Sequence, residues 1–98
     1  MLPKDSKILI VDDKPDKAMS LQVVVDDLGD VVLAQSGKEA LRCLMTSTFA
    51  VILLDVKMPG MDGFETAVLI RQRQSSESTP IIFITSFNDC DMVKGYSM

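Results

Sequence analysis

Residues 51–63 read Val-Ile-Leu-Leu-Asp-Val-Lys-Met-Pro-Gly-Met-Asp-Gly. Four apolar residues in a row, bounded by turn residues, are typical of a strand that is buried on both faces of a parallel sheet. Asp55 ends this strand, and open α/β sheets hold their sites at the carboxyl ends of strands. Pro59, Gly60 and Gly63 predict a sharp turn that presents backbone carbonyls to a cation, with positive φ available at both glycines. Taken alone, Asp55 is better explained as an aspartate that caps a turn, and that alternative stays open here.

The same pattern occurs near the N-terminus. Residues 8–11 read Ile-Leu-Ile-Val and are followed by Asp12 and Asp13. Two strands of one parallel sheet would bring Asp12, Asp13 and Asp55 to the same edge. Three converging carboxylates repel one another unless a cation neutralises them, and hard oxygen ligands suit Mg²⁺. An alternative is that Asp13 caps a helix that opens near Pro15, but this leaves Asp12 and Asp55 without a role.

Composition limits the class of protein. The chain has 98 residues, of which 47% are apolar and 24% charged, and this predicts one globular domain over residues 1–98. The net charge of −4, without a basic cluster, argues against nucleic-acid binding by this segment. Apolar runs are strand-sized, so no membrane association is expected. Residues 1–6 form a short polar lead-in rather than a targeting segment, which predicts the cytoplasm.

The two cysteines do not indicate a metal centre. Cys43 and Cys90 have no motif spacing, and the chain has no histidine to complete a zinc site. Cys43 falls on the apolar face of a predicted helix. We therefore expect it to be a small core residue.

Strands and helices are predicted to alternate along the chain, which implies a parallel sheet with helices on both faces. Ser36 and Glu39 have the spacing of a capping box, and Asp62 or Gly63 is expected to begin a later helix. The predicted strands are Lys7–Val11, Asp30–Ala34, Phe49–Asp55 and Thr79–Thr85; the predicted helices are Pro15–Leu28, one opening after Ser36, one opening at Asp62 or Gly63, and one from about Asn88 to Tyr96.

Apolar residues at helical spacing predict which helix faces are buried. The predicted stripes are Ala18, Leu21, Val24, Val25 and Leu28 on the first helix, Ala40, Leu41, Leu44 and Met45 on the second, and Phe64, Ala67, Val68 and Ile70 on the third.

Several of these motifs together resemble the receiver domain of two-component response regulators. They are the pair Asp12-Asp13, Asp55 with the turn Met58–Gly63, and Thr85 closing the apolar strand that begins at Pro80. The resemblance spans the whole chain. It implies a flavodoxin-like, three-layer, doubly wound parallel sheet of order 2-1-3-4, with the fifth strand and fifth helix of the family missing from this chain. The switch point would lie between the strands that bear Asp13 and Asp55.

The resemblance also implies a function. In that family the counterpart of Asp55 accepts a phosphoryl group from the phosphohistidine of a histidine kinase or histidine phosphotransfer domain. Asp12, Asp13, Asp55 and the backbone carbonyl of Lys57 would hold Mg²⁺, and the Thr85 hydroxyl would hydrogen-bond the phosphoryl group and act as a switch. The module would assist its own phosphorylation and dephosphorylation rather than act as a conventional enzyme.

The sequence around Asp55 is similar to that of receivers attached to hybrid sensor histidine kinases, so the parent protein would be such a kinase. The output domain or partner protein is not indicated. Two other functions stay open. One is a receiver-like interaction module that takes no phosphoryl group. The other is a Mg²⁺-dependent phosphohydrolase with an aspartyl nucleophile, which would need a second Asp where this chain has Lys57.

Two departures from the family pattern concern the end of the chain. Ser86 follows Thr85 where receivers have Ala or another small residue, so the lifetime of the phosphoryl group would differ. The family's fifth-strand lysine has no counterpart before Met98, and Lys94 falls on the preceding helix. The chain is therefore expected to be a fragment whose fourth strand is an exposed edge, and self-association through that strand is predicted.

Overall fold

Four strands and three helices alternate along the chain in a computed structural model that describes residues 6–84. The predicted last helix and Thr85 lie outside these residues. Short 3₁₀ turns, Asp26–Leu28 and Gln74–Ser76, follow the first and third helices. The elements are β1 (Lys7–Val11), α1 (Pro15–Val25), β2 (Asp30–Ala34), α2 (Gly37–Thr46), β3 (Val51–Asp55), α3 (Gly63–Gln72) and β4 (Ile81–Ile84).

The strands form one parallel sheet of order β2-β1-β3-β4, which confirms the predicted order 2-1-3-4. Val11 at the end of β1 pairs with Leu54, and Asp55 pairs with Ile84 at the end of β4. Strands β3 and β4 therefore end level, and β1 ends one residue earlier. Because of this register, the residue that follows Val11 lies beside the last residue of β3.

The sheet separates two apolar cores because side chains alternate between its faces. One core contains Ile8, Ile10 and Leu53 with Ala18 of α1. The other contains the intervening strand residues together with α2 and α3. Its buried strand members are Leu9, Val11, Ala34, Ile52 and Leu54. Strands buried on both faces explain why these segments read as continuous apolar runs.

The helix stripes are narrower than predicted. On α1 the core-facing residues are Ala18, Leu21 and Val25, whereas Val24 is 77% exposed. A residue one position from Val25 is rotated by about 100° around the helix, and this turns Val24 away from the sheet. Leu28 lies in the 3₁₀ turn and is also exposed.

Two similar errors occur on the other helices. Met45 of α2 and Val68 of α3 are exposed, although both belonged to predicted stripes. Each of them directly follows a residue that faces the core, so the same rotation applies.

Cys43 is half-buried and packs against the larger core, as expected, and burial raises the pKa of its thiol.

Strand β4 lies at one edge of the sheet within residues 6–84, and Ile82 on it is 51% exposed. Since residues beyond Ile84 are outside the described part of the chain, self-association through this strand stays a prediction. No helix within the described residues is long and apolar enough to cross a membrane.

Side chains cap both helices that face the larger core. Ser36 Oγ accepts a hydrogen bond from the Glu39 backbone N–H at 3.1 Å, which is the Ser36 half of the predicted capping box. At α3 a full capping box forms. Asp62 Oδ1 accepts from the Glu65 N–H at 2.8 Å, and Glu65 Oε1 accepts from the Asp62 N–H at 3.4 Å. Asp62 is thus engaged in starting α3.

Replacing Asp62 with Ala should destabilise the fold. The Glu65 N–H loses its acceptor, and the loss of an N-cap typically lowers the free energy of unfolding by about 1 kcal/mol. Urea unfolding followed by circular dichroism measures this. Asp62→Asn, which keeps the accepting oxygen, is the matched control and should retain most of the stability. Equal stability of Asp62→Ala and the parent chain would contradict the capping assignment.

Candidate metal site at the carboxyl edge of the sheet

Three carboxylates meet where β1 and β3 end. Asp12 and Asp13 directly follow β1, and Asp55 is the last residue of β3. One ligand oxygen from each lies within 4.8 Å of the others. Asp12 is 0% exposed and Asp55 4% exposed. The structure therefore brings together the three aspartates that the strand pattern placed at one edge.

Side-chain alternation explains why two of these carboxylates lie near α1. Ile10 packs on the face that α1 covers, and Asp12 continues that alternation two residues later. Leu53 packs on the same face, and Asp55 is again two residues on. The sheet thus carries both carboxylates beneath the start of α1.

Lys17, in the first turn of α1, contacts both of these carboxylates. Its Nζ donates a hydrogen bond to Asp55 Oδ1 at 3.1 Å and lies 3.5 Å from Asp12 Oδ2. Burial lowers the pKa of Lys17, but the hydrogen bond to Asp55 and the charges of Asp55 and Asp12 outweigh it, and the pKa is raised overall. Lys17 is therefore a charged ammonium within the acidic site.

Lys17 was not predicted as a site residue from the sequence. A signal for it exists, because alternation assigns Asp12 and Asp55 to the face under α1, and Lys17 is the third residue of that helix. The alternation of side chains along the strands and the predicted start of the first helix, taken together, would have predicted that Lys17 lies near Asp12 and Asp55. Neither pattern alone predicts this.

The loop after β1 is fixed by the backbone and by Asp12. The Asp12 N–H donates to the Ala34 carbonyl at 2.9 Å, which extends the strand pairing beyond Val11. Asp12 Oδ1 accepts from the Lys14 N–H at 3.0 Å. Lys14 is the N-cap residue of α1 and makes no side-chain cap hydrogen bond, while Pro15 takes the first helical position. The alternative in which Asp13 caps α1 has no support in this arrangement.

Two buried oxygens in the site lack a hydrogen-bond donor. Within the described part of the chain, Asp12 Oδ2 and Asp13 Oδ1 are buried and accept no hydrogen bond. Such oxygens are costly unless a cation or another donor compensates them. Asp12 Oδ2 has the Lys17 ammonium 3.5 Å away as an ion-pair partner but no hydrogen bond. Three clustered carboxylates, two of which have a buried oxygen without a hydrogen bond, fit a hard divalent cation such as Mg²⁺.

The surroundings of Asp55 make its ionised form less favourable. Burial raises the pKa of Asp55, the hydrogen bond and charge of Lys17 lower it, and the charges of Asp12 and Asp13 raise it again. The overall shift is upward. Asp55 is therefore a buried carboxylate whose ionised form is less favourable in the folded chain than in water.

Two glycines shape the turn after Asp55, each for a different reason. Gly60 has a φ of 74°, in the left-handed region that favours glycine. At Gly63 the reason is space, because an added Cβ would meet the backbone carbonyl oxygen of Asp55. The expectation of positive φ is thus right for Gly60 alone. The Gly63 N–H donates to the Val56 carbonyl at 2.9 Å, which closes the turn behind Asp55.

The other two predicted site residues are only partly placed. Lys57 lies two residues after Asp55 with an exposed side chain, and the role of its backbone carbonyl stays a prediction. Thr85 directly follows Ile84, the pairing partner of Asp55, but it lies outside the described residues. Its role as a hydrogen-bonding switch also stays a prediction.

Comparison with known families agrees with this geometry. The family model described as the response regulator receiver domain matches residues 8–97. The chain belongs to the response regulator receiver domain family. Members of this family generally bind Mg²⁺ at an acidic pocket and interact with histidine kinases and output domains.

Two curated relatives are longer than the region that this chain matches. The sensor histidine kinase GacS of Pseudomonas protegens is 37% identical over 84 residues, which cover 82% of this chain and 9% of the kinase. The response regulator ArlR of Staphylococcus saprophyticus is 37% identical over 92 residues, covering 92% of this chain and 40% of that protein. This receiver domain therefore spans less than half of either protein.

Solved structures show the same receiver fold. The chemotaxis protein CheY4 of Vibrio cholerae aligns with a TM-score of 0.82 at 30% identity, over 93% of this chain and 77% of that one. The signal receiver domain of a signal transduction histidine kinase from Syntrophus aciditrophicus aligns with a TM-score of 0.78 at 30% identity, over 92% and 69% of the two chains.

Replacing Asp55 with Asn should stabilise the receiver domain at neutral pH in the presence of a chelator. An acid whose folded-state pKa is raised loses stability as pH rises from its ordinary pKa, about 4, through the raised value. Asn does not titrate, so its advantage should be present at pH 7 and disappear below about pH 4. Urea unfolding across this range measures the difference between the two chains.

The matched control is Asp16→Asn, a neutralisation of an exposed carboxylate in the first turn of α1. It should show no comparable gain at pH 7. An Asp55→Asn chain that is no more stable than its parent at pH 7 would contradict the upward pKa shift.

Proposed function

We propose that this receiver domain is a phosphoacceptor, and that Asp55 takes a phosphoryl group from the phosphohistidine of a histidine kinase or histidine phosphotransfer domain. The observation that carries the proposal is the buried Asp55 carboxylate clustered with Asp12 and Asp13 at the carboxyl edge of the sheet. Residues 1–98 contain no histidine, so the donor imidazole comes from elsewhere.

In this proposal Asp12, Asp13, Asp55 and the backbone carbonyl of Lys57 hold Mg²⁺. The buried oxygens of Asp12 and Asp13 that accept no hydrogen bond support this ligand set. When bound, Mg²⁺ supplies charge neutralisation and alignment of the transferring oxygens. Asp62 is excluded from the set because its carboxylate caps α3.

The transfer itself is a simple exchange of bonds. A carboxylate oxygen of Asp55 forms a bond to phosphorus as the bond from phosphorus to the donor nitrogen breaks, and the electron pair of that bond returns to the imidazole. Phosphoryl transfer depends mainly on positioning and electrostatics. The chain supplies positioning through the pairing of Asp55 with Ile84 and the close approach of Gly63 to the Asp55 carbonyl.

The phosphoryl group would then act on the neighbouring strand. It adds about one to two negative charges and several acceptor oxygens at Asp55. Thr85 follows the residue that pairs with Asp55, and in the proposal its hydroxyl hydrogen-bonds the phosphoryl group. This contact biases the adjoining surface toward a partner or output domain. The similarity to GacS favours a receiver domain that is joined to a sensor kinase. In this proposal residues 1–98 belong to a single domain, which lies in the cytoplasm.

The two alternative functions have less support. A phosphohydrolase would need an acid two residues after the nucleophile, where this chain has Lys57. An interaction module without phosphotransfer would have no use for three clustered carboxylates, two of which have a buried oxygen without a hydrogen bond.

Phosphorylation at Asp55 is directly testable. A small phosphodonor such as acetyl phosphate with Mg²⁺ should modify Asp55 alone, because in this proposal Asp55 both holds the metal and attacks phosphorus, whereas Asp12 and Asp13 only hold the metal. Borohydride trapping followed by peptide mass spectrometry locates the modified residue. Asp55→Asn is the control and should remain unmodified. Label retained at another residue in Asp55→Asn would sink the assignment of Asp55 as acceptor.

Measurements of Mg²⁺ affinity distinguish carboxylates that bind the metal from nearby carboxylates that do not. Asp13→Ala should weaken Mg²⁺ binding by roughly tenfold or more, since even residues outside the ligand set commonly have effects of that size. Asp62→Ala should bind Mg²⁺ as the parent chain does, because Asp62 serves the helix. Isothermal titration calorimetry measures both. Equal losses in the two variants would show that acidic charge in general, rather than this ligand set, governs binding.

A further inference from the structure

We propose that Lys17 is an intramolecular competitor of the divalent cation: its ammonium must leave Asp12 and Asp55 before both can hold Mg²⁺, and it thereby sets the affinity of the site. The inference rests on the proposed function, because Asp12 and Asp55 are cation ligands only under that proposal. It assigns to α1 a direct part in metal binding.

The contacts carry the inference. Lys17 Nζ hydrogen-bonds Asp55 Oδ1 at 3.1 Å and pairs with Asp12 Oδ2 at 3.5 Å. Asp12 Oδ2 is also one of the two buried oxygens that lack a hydrogen bond within residues 6–84. The ammonium and a divalent cation would therefore draw on the same oxygens. Two cations so close together also repel each other strongly in a partly buried site.

The position of Lys17 on its helix indicates that the carboxylates hold it there. A basic residue in the first turn is disfavoured by the helix dipole, which makes that end positive. Ordering a long lysine side chain also costs conformational entropy. Nevertheless the Lys17 side chain is only 29% exposed and reaches two buried acids. The attraction of Asp12 and Asp55 offsets both costs.

Competition of this kind has two linked consequences. Removing the charge of Lys17 should tighten Mg²⁺ binding, and binding of Mg²⁺ should release the Lys17 side chain to solvent, because linkage between two binding events is reciprocal. Without Lys17 the three carboxylates repel one another uncompensated, so Mg²⁺ should also stabilise the fold by more than it stabilises the parent chain.

Calorimetric titration of the chelator-treated protein with Mg²⁺ alone tests the first consequence. Lys17→Gln should bind Mg²⁺ roughly tenfold more tightly, within the usual range of such couplings. Lys17→Arg keeps the positive charge and should retain the weak binding of the parent. Lys38→Gln is the matched control, since it removes the same charge from an exposed side chain in the first turn of α2. It should leave the affinity unchanged.

Chemical labelling tests the second consequence without relying on a variant. Reductive methylation of the parent chain should modify Lys17 faster when Mg²⁺ is present, whereas the rate at Lys38 should not change. Peptide mass spectrometry quantifies both residues. This readout does not depend on phosphorylation, and it reports the position of the Lys17 side chain directly.

The outcomes separate the two proposals. Equal Mg²⁺ affinity in the parent chain and Lys17→Gln, with unchanged labelling of Lys17, would overturn the competition while leaving the metal site intact. A tightening in Lys38→Gln as large as in Lys17→Gln would also overturn it, because net charge would then be the cause. Absence of Mg²⁺ binding in every variant would overturn the proposed metal site and the competition with it.

Discussion

The pairing of β1 with β3 is the interaction on which the rest of the molecule depends. Val11 pairs with Leu54, so Asp12, the residue after β1, lies beside Asp55, the last residue of β3. A one-residue slip of either strand would move its apolar residues to the wrong face and separate Asp12 from Asp55. Burial of Ile8, Ile10 and Leu53 on one face holds this register. Packing of the core therefore determines the geometry of the carboxylates.

The acidic site works against the stability that this packing provides. Asp12 and Asp55 are almost fully buried beside Asp13, and burial together with the neighbouring charges makes ionised Asp55 unfavourable. Lys17 relieves part of that repulsion from outside the sheet. A site that binds a divalent cation needs such uncompensated charge, since a fully paired set of carboxylates would have little to gain from the metal. Retained electrostatic strain is the usual cost of a functional site.

Patterns confined to one element predicted most of the fold. The bounds of β1 and β2 were right because each strand is a short apolar run between turn residues. Asp62 was recognised as a possible helix start because a cap is a local feature. The residues predicted at the outer edges of the buried helix faces were wrong. Val24, Met45 and Val68 are apolar and adjacent to core residues, yet the width of a buried stripe depends on how the helix is rotated against the sheet. That rotation is a tertiary property, which residue spacing does not contain.

In the candidate site, too, features that depend on single elements were predicted, whereas a feature that depends on how elements pack was not. Convergence of Asp12, Asp13 and Asp55 followed from strand ends alone, whereas Lys17 required the sheet face of each carboxylate and the placement of α1 together. The alternation that buries Ile10 and Leu53 beneath α1 also directs the next polar positions toward its first turn. The third residue of α1 is therefore the position from which a side chain can change the charge balance of the site without entering the core. In receiver domains with this register, substitutions at that position should alter cation binding more than they alter the fold.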